Sequence, residues 1–448
     1  MSDDADKEPN FGDEEWMRDA LRRFLSGDPS INPEELMRAA GINVSSADLQ
    51  KMMQQLGNSF APGGALKPQA SRDHAVAVAG EGQHALDPAT DNALAHAATI
   101  ASLWLTEVTA IAELPDTPTV GTRTEWVRKT LPTWEDIADP VATAIPRAIS
   151  QMMLNQGPED MRELMTGMQG PMEQVSKSLF SLQLAGVVGK LSHEVLSGGD
   201  IGIPLIQGSS EYDVKAFLLA QNIREFSKDL DVSQEEADIY LATREIAHAR
   251  LFRHAKWLRL HVMSAIRDFA AGIRIDAGRI MELAEDFDPT DTEAMKDLLG
   301  SGKLLPERTE EQERALHRLE TMLALIEGWV DHVTAQATTR LPKSDALGEA
   351  IRRRRASGGP AEKAFSTLVG LELRPRRLRE ASALWSEIHR DLGTEARDNL
   401  WRHPDSLPQD ADFDSPANFI TALKNPDSSS DDFDQALREF LEEETPEA

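Results

Sequence analysis

The chain contains no cysteine. That excludes disulfides, thiolate zinc sites and any thiol nucleophile, and it fits a reducing cytosol. Positive charge is in deficit: 47 Lys and Arg against 76 Asp and Glu leave a formal net charge of -29. A protein that displaces counterions from phosphates needs a basic surface, so general nucleic-acid binding is excluded, as is adhesion to anionic lipid. No apolar run reaches the roughly 18 residues of a membrane span. The N-terminus, MSDDADKEPNFGDEEW, lacks the basic-then-apolar order of a secretory signal. Alternating β-branched runs are nearly absent, no repeat period emerges, and no G-x-S-x-G occurs. The expected setting is cytoplasmic and soluble, with no nucleic acid or membrane as partner.

What is present is mostly helical. A chain of 448 residues exceeds what one compact core usually holds, so one sizeable domain with attached segments is expected. Residues 1–90 read as weakly ordered. Trp16–Gly27 and Asn32–Ile42 are expected to form short amphipathic helices ended by glycine, and Gly57–Asp73 has linker composition. Residues 91–405 are dense in Ala, Leu, Glu and Arg, with apolar residues at i, i+3, i+4 and i+7. Residues 406–448 end in an acidic, solvated tail with one weak helix, Asp427–Ala448. One segment departs from this texture. Ser178–Leu205 is rich in small and apolar residues and is expected to be a central buried helix ending at Gly198-Gly199; a membrane-inserting hairpin is disfavoured by Lys190, His193 and Glu194.

The chemistry centres on YLATREIAHARLFRHAKWLR, Tyr240 to Arg259. Ser233 to Glu236, SQEE, forms a capping box that opens a helix running past His248. On it Arg244 and His248 share a face, with Glu245 beside them. The pattern R-E-x-x-H is one residue short of H-E-x-x-H. In that motif two histidines bind zinc, and the glutamate takes a proton from a metal-bound water acidified by the ion. A second capping box, Thr309 to Gln312, opens a helix on which Glu327 and Asp331 are four apart in an apolar setting. In glutamate-type zincins such a pair supplies the third ligand and an aspartate that holds a ligand histidine. A carboxylate buried there needs a partner in any case. Two basic islands, Ile351–Phe365 and Leu373–Ala381, are expected to pair with the chain's own carboxylates; an anion site is the other reading.

With these motifs the chain resembles the actinobacterial zincin-like metallopeptidase family. The likeness extends through Ala98–Thr109, Thr124–Ala142, Gly189–Leu205, Thr243–Arg259, Ile326–Thr334, Gly358–Trp385 and Gly393–Pro408. The resemblance implies a mostly α, zincin-like domain with a central H-E-x-x-H-type helix and a downstream E-x-x-x-D helix. It implies His248 and Glu327 as zinc ligands, Glu245 as general base, and a peptide or protein substrate.

Arg244 departs from that pattern. A guanidinium has no lone pair for a metal and stays protonated. About 4 Å from a dication at an effective dielectric near 20, it costs roughly 8 kcal/mol of repulsion. A zinc site would need another ligand, for which His332 and His254 are nearest in sequence, His254 being rotated about 120° from His248. Without metal, Arg244 could fork onto Glu327 or Asp331. Two functions follow: a zinc-dependent peptidase or hydrolase, or an inactive scaffold of the same fold that binds a partner, with Arg244 in place of the metal charge.

Overall fold

The computed structural model describes residues 68–156, 177–272, 308–366 and 377–425, apart from positions 179, 211, 361, 363 and 364. All of these fall in one compact unit, Pro68–Ala277 with Leu304–Ala448; the other unit, Met1–Lys67 with Gly278–Lys303, lies outside the described residues. So do the two expected N-terminal helices and the acidic C-terminal tail.

The described chain is mostly helical. In order come α1 (Pro68–Gly80), α2 (Pro88–Val108), β1 (Thr119–Gly121), α3 (Arg123–Gln156), β2 (Phe217–Leu219), α4 (Ala220–Lys228), α5 (Gln234–His254) and α6 (Lys256–Ala271). Then follow α7 (Glu310–Ala337), α8 (Ser344–Ala356), α9 (Leu378–Asn399) and α10 (Pro416–Lys424). Helices thus extend past both borders of the expected 91–405 domain. The end of the expected linker is taken into α1, and α10 packs on α9.

Local sequence accounts for the helix starts. Asp87 accepts hydrogen bonds from the Ala89 and Thr90 amides, and Pro88 occupies the first turn of α2, where its missing N–H costs nothing. Both expected capping boxes form: Ser233 with Glu236 opens α5, and Thr309 with Gln312 opens α7. α5 is the central helix of the described unit. Every residue from Ala237 to Phe252 is buried, because α2, α4, α6, α7, α8 and β2 surround it. A helix enclosed on all sides has no solvent face, so its polar residues must find partners inside. α7 is buried without a break from Met322 to Thr334 and packs against α2, α5, α6 and α9. At Gly328 a Cβ would lie 2.7 Å from the Ala381 Cβ, so the glycine lets α7 and α9 approach closely.

The expected helix over 178–205 is shorter than the sequence suggests. Its helical turns end at residue 191, where Ser192 Oγ donates to the Gly189 carbonyl. The chain then runs extended along β2: the Gly198 amide donates to the Phe217 carbonyl at 2.9 Å and the Leu219 amide to the Leu196 carbonyl at 3.0 Å. β2 also pairs in parallel with β1, Thr119 opposite Phe217. Residues 196–198 therefore satisfy the free edge of β2, which a helix there could not. Among the described residues no helix is long and apolar enough to cross a membrane.

Candidate functional site

Helices α5 and α7 bring Arg244, Glu245, His248 and Glu327 to one small cleft, which Leu196, Leu241, Val330 and Ile351 also line and which has room for roughly one water molecule. Four of the seven residues singled out in sequence meet here. The other three do not. Asp331 is turned toward α8 and α9, where it takes Arg352 at 3.2 Å and the Ser382 hydroxyl at 3.0 Å, and it holds no histidine. His332 faces His389, with ring centroids 5.4 Å apart. Burial first, then the charges of Arg397 and His389, pull it down to about 3. His254 lies at the end of α5 near Asp398 and Arg402.

Glu327 is the hub. It is 1% exposed, and a carboxylate so deep requires compensation. Arg244 Nη2 donates to its Oε2 in a short charge-assisted bond. Arg355, from the last turn of α8, brings Nη1 to 2.6 Å from Oε1, off the hydrogen-bonding axis. Burial works against the Arg244 charge, but Glu327, Tyr240, Asp331 and Asp200 together outweigh it and the group's pKa rises. For Arg355 burial wins, reinforced by Arg244, and the pKa falls.

Asp200 is the second buried acid. It accepts from Arg354 Nη1 at 2.9 Å and from the Leu196 amide at 2.9 Å, while its carbonyl accepts from Arg355 Nη2 at 3.0 Å. Burial pushes the carboxyl up; Arg354, Arg355 and the Leu196 amide together bring it below its ordinary value. The arginine run of Ile351–Ala356 is thus paired internally: Arg352 with Asp331, Arg353 with Glu349, Arg354 with Asp200, and Arg355 with Glu327.

Glu245 is committed to the backbone. Its Oε2 accepts from the Gly199 amide at 2.9 Å and its Oε1 from the Phe217 amide at 3.0 Å, so it ties the 197–199 strip to β2. Burial raises it to about 7 against these bonds and the Ser197 side chain. His248, whose ring lies 4.9 Å from that of Phe252 at a tilt of 41°, is lowered to about 4 by burial, opposed by Glu327 and the Gly202 backbone. It is therefore neutral at physiological pH, and its buried Nε2 has no hydrogen-bond partner.

The segment GGDIG, Gly198 to Gly202, closes over these groups. A Cβ on Gly199 would stand 2.3 Å from His248 Nδ1, and one on Gly202, whose φ is +81°, would be 3.2 Å from Glu327 Oε1. Only glycine fits such an approach, and the second position also needs the left-handed conformation. Sequence reasoning expected the island holding Arg354 and Arg355 to pair with the chain's own carboxylates, as it does, but it did not place them at this site and it missed Asp200 and this loop. The doubled glycine was its one visible signal.

These residues do not fit a zinc ion. Structural and catalytic sites need at least three protein donors, and among the described residues no group of three His, Asp or Glu is placed to hold a metal. Arg244 and Arg355 occupy both oxygens of Glu327, and Glu245 is spent on amides. His248 Nε2 alone is a free donor to a metal in the cleft.

A family model described as zincin-like metallopeptidase matches residues 66–420 of the chain. A crystal structure from Chloroflexus aurantiacus, described as that of a candidate hydrolase with a novel fold, is similar at a TM-score of 0.55 and 18% identity. The match covers 80% of this chain and 98% of that one. At that identity the likeness speaks for the fold. No curated protein matches the chain.

Proposed function

We propose that this chain, which belongs to the zincin-like metallopeptidase family, is a non-hydrolytic member of it. It keeps the helical fold, fills the metal position with guanidinium charge, and acts by binding a partner. One observation carries the reading: Glu327, the candidate third ligand, is bonded by Arg244 from the helix that should supply the first ligand, and is approached by Arg355 from a third element. A dication entering there would meet two cations, and each repels it by several kcal/mol at about 4 Å. A chain without cysteine suits a reducing compartment, and the setting proposed for this role is cytoplasmic.

A second reading, a zinc-dependent hydrolase with Glu245 as general base and His248 and Glu327 as ligands, has support in two features. Glu245 is raised to about 7, near the working range of a base, and His248 Nε2 is unpartnered. Elemental analysis of the full chain, purified without chelator at known concentration, separates the two. The non-hydrolytic reading expects zinc far below one equivalent and no peptidase activity. Near-stoichiometric zinc, lost together with activity in Glu245→Gln, would overturn it.

A further inference from the structure

We propose that the buried acids Glu327 and Asp200 form a seat for a guanidinium group, that Arg355 is its resident occupant, and that an arginine side chain of a peptide partner can take its place. This rests on the reading of the cleft as a metal-free binding site.

The two arginines on Glu327 are held differently. Arg244 lies in the middle of the enclosed α5 and hydrogen-bonds Oε2. Arg355 is the next-to-last residue of α8 and precedes Gly358, whose φ is +84°. Helix ends fray, so its departure disturbs one turn. Its bonding is also incomplete. Nη2 reaches the Asp200 carbonyl at 3.0 Å, but Nε has no partner, and Nη1 meets Glu327 Oε1 without hydrogen-bond alignment. Around the same cleft Glu327 Oε1 is ion-paired to Arg355 without an aligned hydrogen bond, and the buried His248 Nε2 has no hydrogen-bond partner.

The chemistry selects the ligand. An anion is repelled by Glu327 and Asp200, and a dication by Arg244. An ammonium is a point charge without the planar fork that spans two acceptors. A guanidinium free of the α8 backbone brings five N–H donors. It can align on Glu327 Oε1 and Asp200, in a cleft that His248, with its unpartnered Nε2, also lines. An arginine-bearing peptide is therefore the expected partner, entering as Arg355 leaves.

The test uses the full chain with Arg355→Gln and Arg355→Ala. Low-millimolar guanidinium chloride should raise the melting temperature of either variant. Equal ammonium chloride should not, and neither salt should raise that of the unaltered protein. By calorimetric titration an acetylated Gly-Arg-Gly peptide should bind Arg355→Gln about tenfold or more tighter than the unaltered chain, since the resident no longer competes. Adding Glu327→Gln should remove that binding. A folded variant that gains nothing from guanidinium and binds no peptide overturns the seat and leaves the metal-free reading standing. Zinc bound near stoichiometry by the unaltered chain overturns that reading itself. If neither variant folds, the unaltered chain decides: the seat requires weak peptide binding displaced by ethylguanidinium and not by ethylammonium, and no binding refutes it.

Discussion

Arg244→Ala is the sharpest perturbation available. Arg244 and Glu327 are 8% and 1% exposed and share a short charge-assisted bond. Halving a buried ion pair costs about 3 to 5 kcal/mol, because the remaining charge is left in a low-dielectric site. Arg355 stays beside Oε1, which places the expected loss near the lower end, about 3 kcal/mol. For a domain of this size each kcal/mol moves the melting temperature by roughly 2 °C, so a fall of about 6 °C is expected. Urea unfolding should show a lower midpoint at unchanged slope. Glu327→Gln removes the same interaction from the other side. The double variant should therefore cost less than the sum of the two singles by about 1 kcal/mol or more, a coupling that only groups in contact show. An Arg244→Ala protein within about 0.5 kcal/mol of its parent would place the guanidinium among ordinary surface residues and refute the buried pairing on which the metal-free reading depends.

Three further outcomes are expected. Asp398→Ala strands the fully buried Arg397 and takes an acceptor from Trp329 Nε1 and Thr109 Oγ1; urea titration should show a loss of about 4 kcal/mol. His332 is held down to about 3, chiefly by burial, whereas an unfolded histidine takes its proton near 6.5. Stability is thus lost as pH falls below 6.5 toward 3, by about 2 kcal/mol between pH 7 and pH 5, and His332→Phe should lose that much less over the same interval. Gly199→Ala puts a Cβ 2.3 Å from His248 Nδ1 and should cost about 1 to 3 kcal/mol, measured by thermal unfolding.

The parts of the site that were legible in sequence are those set by local period. Both capping boxes lie within four residues, and both form. Helical spacing placed Arg244, Glu245 and His248 together on α5, and it placed Glu327 on the buried run of α7. The same geometry limits His332. Five residues of helix carry it about 140° around from Glu327, so it could not join the cleft as a replacement ligand. Asp331, only about 40° from Glu327, was on the right face. Its partner could not be read from α7, because Arg352 arrives on α8 and Ser382 on α9.

Partner choice was hidden because it depends on long sequence separations. Arg244 and Glu327 are 83 residues apart, and Arg355 and Asp200 are 155 apart. The run RRRR reads in sequence as one basic island, yet successive residues of a helix point about 100° apart, so a single run can serve several acids on different elements. Arg352 goes to α7, Arg353 to Glu349 of its own helix, and Arg354 and Arg355 to the loop after β2's neighbouring strip and to the hub. That geometry bears on the opening anomaly of the motif. Arg244 alone would give Glu327 one positive charge where a zinc ion would bring two. Arg355 supplies the second, and Arg354 with Arg355 holds Asp200 ionised beside them. The arginine in the motif and the arginine run more than a hundred residues later therefore belong to one electrostatic arrangement, and neither is intelligible without the other.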